Sequence, residues 1–242
     1  MKLQSTIPSI FTMLNLFSGF LAILQIFQTH YLTAISLIIL ASIFDLLDGQ
    51  VARLIHQESK FGIEFDSLAD MVSFCLAPSV LVYSLFAFDM GIAGALICFF
   101  PLLFGGIRLA RFNLYASGER KKYYTGLPVP ACAITIGSYV WFYYVVFGSY
   151  GQSKALLPLI VILSFLMISK IRFYNFPRLS FHSGILKSIR SMSILIGIAL
   201  VVVFRGYIIF PIMLIYIVTH ILMWLTVYED TRVHFQIRRK DK

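Results

Sequence analysis

Eight long apolar runs separated by short polar connections leave this chain few ways to fold. A helix that crosses a bilayer needs about 20 mostly apolar residues. Such runs fall at 7–27, 32–55, 63–87, 91–114, 126–148, 154–173, 191–205 and 207–227. The seventh is short, and Arg205 and Gly206 separate it from the eighth. Of the 242 residues, 59% are hydrophobic and only 13% charged, against about 45–50% and about 25% in soluble domains. Water is therefore the wrong solvent for most of the chain, which excludes a soluble globular enzyme and a disordered protein. The expected fold class is an all-α integral membrane protein of about eight transmembrane helices. Residues 1–242 then form a single transmembrane domain, with no room for a soluble one. The first run, from about Ile7 to Phe27, is longer than the roughly 7–15 apolar residues of a secretory signal and has no small-residue cleavage site, so it reads as a retained span.

Cationic residues orient these spans. The net charge is +9, with 20 Lys and Arg against 11 Asp and Glu. In a soluble protein such a balance would suggest nucleic acid; in a membrane protein it reads first as loop charge, and no nucleic-acid partner is expected. With eight spans and a cytoplasmic N-terminus, 18 of the 20 cationic residues fall on the inner side, leaving Lys154 and Arg205 outside. Positive charge near span ends favours the cytoplasmic face, so both termini and all the long loops are expected there. The three cysteines, Cys75, Cys98 and Cys132, lie in apolar runs and form no metal or disulfide pattern.

The acids are concentrated. Asp45, Asp48, Asp66 and Asp70 sit at the cytoplasmic ends of the second and third runs. A charge inside a span costs about 2.5–3.5 kcal/mol on insertion scales, and four neighbouring carboxylates also repel one another, so something must compensate them. At about 100° per residue, Asp45, Asp48 and Ala52 share one helical stripe, and Gly62, Asp66 and Asp70 share another. A short connection makes the two helices antiparallel neighbours whose acidic stripes face across a cytoplasmic cleft. Carboxylates in that arrangement suit hard divalent cations, and two metals about 3.5–4 Å apart are a known device for displacement at phosphorus. Gly49 lets a ligand approach the backbone, Ala52 and Gly62 keep the wall thin, and Arg53 can pair with a phosphate. A cation-coupled transporter is the alternative of a different class. It would place its acids nearer the bilayer midplane, on broken helices.

The run Asp45-Leu-Leu-Asp48-Gly49-Gln-Val-Ala52-Arg53, followed at fixed intervals by Gly62, Asp66 and Asp70, resembles the signature of the CDP-alcohol phosphotransferases, D-x2-D-G-x2-A-R-x8-G-x3-D-x3-D. All eight of its fixed residues match. The resemblance covers about residues 5–180. It implies a six-helix core, about 7–173 here, with the signature at 45–70 and two extra helices at about 191–227. It also implies transfer of a phosphoryl-linked alcohol from a CDP-alcohol to a second alcohol, with release of CMP. Three further segments resemble those of the phosphatidylserine synthase branch. They are Arg108-Leu-Ala-Arg111-Phe-Asn113, Tyr124-Thr-Gly126-Leu-Pro128-Val-Pro130 and Ala69-Asp70-Met-Val-Ser73-Phe-Cys75-Leu-Ala-Pro78. In the last, Cys75 replaces a usual Gly. In the first helix a Pro-Asn pair is replaced by Pro8-Ser9, with Thr12 in register.

The resemblance then implies roles. CDP-diacylglycerol and L-serine are the expected substrates, and phosphatidylserine and CMP the products. Glycerol 3-phosphate or an inositol phosphate is the alternative acceptor. Asp45, Asp48, Asp66 and Asp70 hold divalent metal, Mg²⁺ or Mn²⁺ and two ions, with Asp70 also the general base. Thr12, Gly49, Ala52, Arg53 and Gly62 contact CDP-diacylglycerol. Arg108 and Arg111, three apart on one helix, are candidates for the serine carboxylate, with Asn113 helping to orient it; the alternative is that the two arginines simply end the span, as positive-inside charge does. The resemblance further implies a homodimer in a prokaryotic cytoplasmic membrane, with the active site on the cytoplasmic face.

Overall fold

A computed structural model of the chain describes residues 9–55, 60–115, 123–174, 206 and 208–240. Helices carry the fold: α1 (Ile10–Phe27), α2 (Tyr31–Ile55), α3 (Lys60–Asp70), α4 (Ala77–Val82), α5 (Gly91–Tyr115), α6 (Val129–Phe147), α7 (Ser153–Ile168) and α8 (Ile209–Lys240). The seventh apolar run, 191–205, lies outside the described residues. The others are helical, as the need to satisfy every backbone N–H and C=O away from water requires. Positive φ at Gly206 (79°) marks the break ahead of the eighth run.

The helix α1 shows how the sequence is used. Ser9 caps its start by accepting from the Phe11 N–H. Thr12, Asn15, Ser18, Gly19, Ala22 and Ile26 are buried, whereas Ile10, Met13, Phe17, Phe20 and Phe27 face outward. Small and polar residues inside with large apolar residues outside is the pattern of a helix whose solvent is lipid. Gly19 allows close approach: a Cβ there would lie 2.7 Å from the Ser73 Cα.

The stretch from Phe61 to Leu114 is 54 residues of nearly continuous apolar helix. Straight, it would be about 80 Å long, far more than the roughly 30 Å of a hydrocarbon core. A single 3₁₀ turn, Phe88–Met90, followed by Gly91 at φ 57°, folds it into two legs that pack side by side. The first leg is irregular. α3 passes into a π-helical turn, Met71–Leu76, immediately after Asp70, and a second π-helical turn follows α4 at Tyr83–Ala87. Such bulges shift the register of everything beyond them and are frequent at functional sites.

Two sequence boundaries need correction. The sixth run was expected to be helical over 154–173, but α7 stops at Ile168, and Arg172–Tyr174 forms a strand, β2, antiparallel to β1 (Tyr123–Thr125). The fold is therefore helical with one small two-stranded ribbon. Ser169 and the charged Lys170 and Arg172 end the apolar run, and pairing satisfies the backbone that leaves the helix. The fifth run begins with Gly126-Leu127-Pro128 rather than with helix. Gly126 has φ 83°, its N–H donates to the Ile171 carbonyl at 2.8 Å, and the Leu127 N–H donates to the Leu166 carbonyl at 3.0 Å. Val129-Pro130 then opens α6, where proline loses no helical hydrogen bond. Ile35, Ile38, Phe74, Leu81, Ile136, Leu156, Ile160 and Leu163, all buried, form the core between α2, α4, α6 and α7.

Candidate active site

Three elements meet at the acidic cluster. α2 brings Asp45 and Asp48, α3 brings Asp66 and Asp70, and α1 crosses them with its polar stripe. One carboxylate oxygen from each of Asp45, Asp66 and Asp70 lies within 4.8 Å of the others. The two stripes thus converge as the spacing predicts, and the cluster is half-buried at Asp45 and Asp66 and buried at Asp70.

Asp48 belongs to the same cleft by a different route. Thr12 Oγ1 donates to its Oδ2 at 2.8 Å. Its other oxygen is buried and has no hydrogen-bond partner among the described residues, and the same holds for Asp66 Oδ1. Buried carboxylate oxygens without donors are costly. Three close carboxylates with orphaned oxygens beside them are a donor set that a hard, oxygen-seeking divalent cation completes. The residues present therefore fit a divalent metal.

Asp70 is held from α1. Asn15 Nδ2 donates to Asp70 Oδ1 at 3.0 Å, and Ser73 Oγ donates to the Asn15 backbone carbonyl at 2.9 Å. Asn15 is fully buried. Sequence reasoning passed over it because it lies outside the acidic signature. The signal was present: Thr12, Asn15, Ser18 and Gly19 recur at helical spacing in an otherwise apolar run.

The 108–113 segment behaves differently from its sequence reading. Arg108 is buried, 7% exposed, and its charge acts on Asp70. A span-ending arginine would reach for the interface instead. Arg111 turns away: its Nη1 donates to the Ile168 carbonyl at 3.3 Å, at the C-terminus of α7. Asn113 ties α5 to α3, its Nδ2 donating to Glu64 Oε2 and to Ser67 Oγ, both at 3.0 Å. Of the three, Arg108 alone is buried and within electrostatic reach of Asp70. Gly49 is exposed on α2, one residue after Asp48, and Gly62 lies one turn before Asp66. The side chains of Ala52 and Arg53 lie outside the described residues.

Cys75 is buried and accommodated by the absence of a side chain opposite it. It packs directly onto Gly105 of α5, where a Cβ would collide with its sulfur.

Comparison with known proteins extends the geometry. Residues 5–173 match the family model described as CDP-alcohol phosphatidyltransferase. The chain belongs to that family. Members generally use divalent metals, which agrees with the donor set. Among relatives, a CDP-diacylglycerol–serine O-phosphatidyltransferase of Helicobacter pylori is 36% identical over 178 residues, covering 72% of this chain and 74% of the relative. An archaetidylserine synthase of Methanothermobacter thermautotrophicus is 38% identical over 172 residues, 69% of each chain. A CDP-diacylglycerol–serine O-phosphatidyltransferase of Methanocaldococcus jannaschii is 38% identical over 172 residues, 71% of this chain and 75% of the relative. As a CDP-alcohol phosphatidyltransferase with several apolar helices of spanning length, the chain is an integral membrane transferase.

Proposed function

We propose that this protein transfers the phosphatidyl group of CDP-diacylglycerol to the hydroxyl of L-serine, giving phosphatidylserine and CMP. The observation that carries the reading is the convergence of Asp45, Asp66 and Asp70 in a family whose similar members are named for serine transfer. In the reaction the serine oxygen bonds to the phosphorus that bears diacylglycerol, and the bond from that phosphorus to CMP breaks.

Asp45, Asp48, Asp66 and Asp70 are the residues that would hold the metal, two ions of Mg²⁺ or Mn²⁺. When bound, the metal supplies charge neutralisation for the diphosphate and the departing CMP. Asp70 accepts the proton of the serine hydroxyl as its oxygen approaches phosphorus. A carboxylate is a weak base for an alcohol, and it serves because the proton moves in the transition state. Arg108 binds the serine carboxylate in a site shielded from water. Gly49, Ala52, Arg53 and Gly62 border the nucleotide, and Thr12 holds Asp48 beside it. The cleft opens to the cytoplasm of a prokaryotic inner membrane, with eight spans and both termini inside. The 7–173 core and the two extra helices at 191–227 form one membrane domain that works as a homodimer.

The purified protein, given labelled CDP-diacylglycerol and Mn²⁺, should release CMP when serine is added and much less with glycerol 3-phosphate or inositol phosphate. Equal product from serine and glycerol 3-phosphate would refute the choice of acceptor. CMP release with no acceptor at all would refute transfer as the main reaction.

A further inference from the structure

We infer that Asn15 is the positioning residue for Asp70, fixing which carboxylate oxygen is held and which is free to take the acceptor's proton. This rests on the proposed serine transfer and adds to it a residue outside the acidic signature. The donor direction is set by chemistry. An ionised carboxylate only accepts, so the Asn15 amide must turn its NH₂ to Asp70, as the 3.0 Å bond from Nδ2 to Oδ1 has it. That choice has a consequence: Asn15 Oδ1 is left buried with no hydrogen-bond partner among the described residues. A leucine of similar shape would fill the same space without burying an unsatisfied carbonyl. Packing therefore does not account for an amide here, whereas an obligatory donor to Asp70 does.

The surroundings immobilise that donor. Ser73 Oγ, fully buried, donates to the Asn15 backbone carbonyl at 2.9 Å, and Gly19, one turn further along α1, lets Ser73 approach the helix. Ser73 lies in the π-helical turn that begins directly after Asp70. One bond thus joins α1 to Asp70, and a second joins α1 to the turn that carries Asp70 onward. With Oδ1 engaged, the Asp70 carboxylate loses its freedom to rotate, and a base held in reacting geometry outperforms one that must find it.

The experiment is steady-state kinetics of Asn15→Leu and Asn15→Gln beside the unaltered protein, with Mn²⁺ affinity measured separately by electron paramagnetic resonance. Asn15→Leu should lower kcat about 100-fold, while KM for serine and for CDP-diacylglycerol and the Mn²⁺ affinity each change less than about threefold. Asn15→Gln, which keeps an amide donor on a longer stem, should recover about tenfold of that loss. A kcat for Asn15→Leu within about threefold of the unaltered protein would overturn the inference. So would a parallel fall of kcat and Mn²⁺ affinity, which marks general disruption of the cleft, or a glutamine variant no better than leucine, which marks packing. If the unaltered protein shows no serine-dependent CMP release, the proposed function fails and the inference falls with it; that outcome is distinct, because it appears before any variant is made.

Discussion

The acidic signature and the 108–113 segment are each short, polar and set in apolar helix, yet the fold treats them in opposite ways. Asp45, Asp66 and Asp70 come from two helices and end with carboxylate oxygens within 4.8 Å of one another. Arg108, Arg111 and Asn113 come from six consecutive positions of one helix and end on three different partners. Arg108 stays buried within electrostatic reach of Asp70, Arg111 turns to the end of α7, and Asn113 to Glu64 and Ser67 of α3. The difference lies in what faces each helix. Intervals of three or four keep residues on one stripe, and two facing stripes make a site. Arg108 and Arg111, three apart, share a stripe too, but a single stripe meets different neighbours along its length, and Asn113 lies off it. Proximity in sequence assembled nothing in the second segment, whereas periodicity on two elements assembled the first.

The largest effect should come from the converging set. Asp70→Asn keeps the shape and the Asn15 contact but removes the proposed base, and should lower kcat at least about 10³-fold while CDP-diacylglycerol still binds. Single-turnover CMP release with a separate binding assay measures both; unchanged turnover would take the base role from Asp70. Arg108 comes next, as the member of the fanning segment that joins the cluster. Removing one partner from buried opposite charges costs about 3–5 kcal/mol. Arg108→Leu should therefore cost about 100-fold or more in kcat/KM for serine, and Arg108→Lys should recover part of it. If Arg108→Leu and Arg111→Leu raised the serine KM equally, the contrast between the two arginines would be wrong.

How much of this was legible in the sequence follows the same division. Run length and hydropathy located the helices, because a long stretch of backbone away from water satisfies its own N–H and C=O groups as helix. The facing of the two acidic stripes was legible because it needs only the helical period and a short connection. The ribbon of Tyr123–Thr125 with Arg172–Tyr174 was not, because three-residue strands carry no periodicity and pair across 46 intervening residues. The end of α7 was missed for the same reason. Asn15 was hidden by its setting: one amide in an apolar run is read as tolerated until its partner on another helix is seen. The direction of each residue in 108–113 depended on where α3 and α7 lie, which no spacing within α5 encodes.

Arg111 and Asn113 test the remainder of the comparison, with smaller effects that fall on stability rather than on any substrate. Arg111→Met removes a cation from the C-terminal carbonyls of α7 beside the Gly126 joint, an interaction worth about 1 kcal/mol. Thermal unfolding in detergent should shift down by a few degrees, with the serine KM unchanged. Asn113→Ala should do least. Its partner Glu64 is exposed and Ser67 half-buried, so water replaces part of what is lost, and the cost should be about 0.5–1 kcal/mol. Turnover should stay within about twofold. Ser67→Ala removes part of the same clamp from the α3 side and leaves the bond to Glu64, so the double variant should be no worse than Asn113→Ala alone. A tenfold rise in the serine KM for Asn113→Ala, with Ser67→Ala silent, would put Asn113 in the acceptor pocket. The segment would then converge on substrate even though it fans out among the helices.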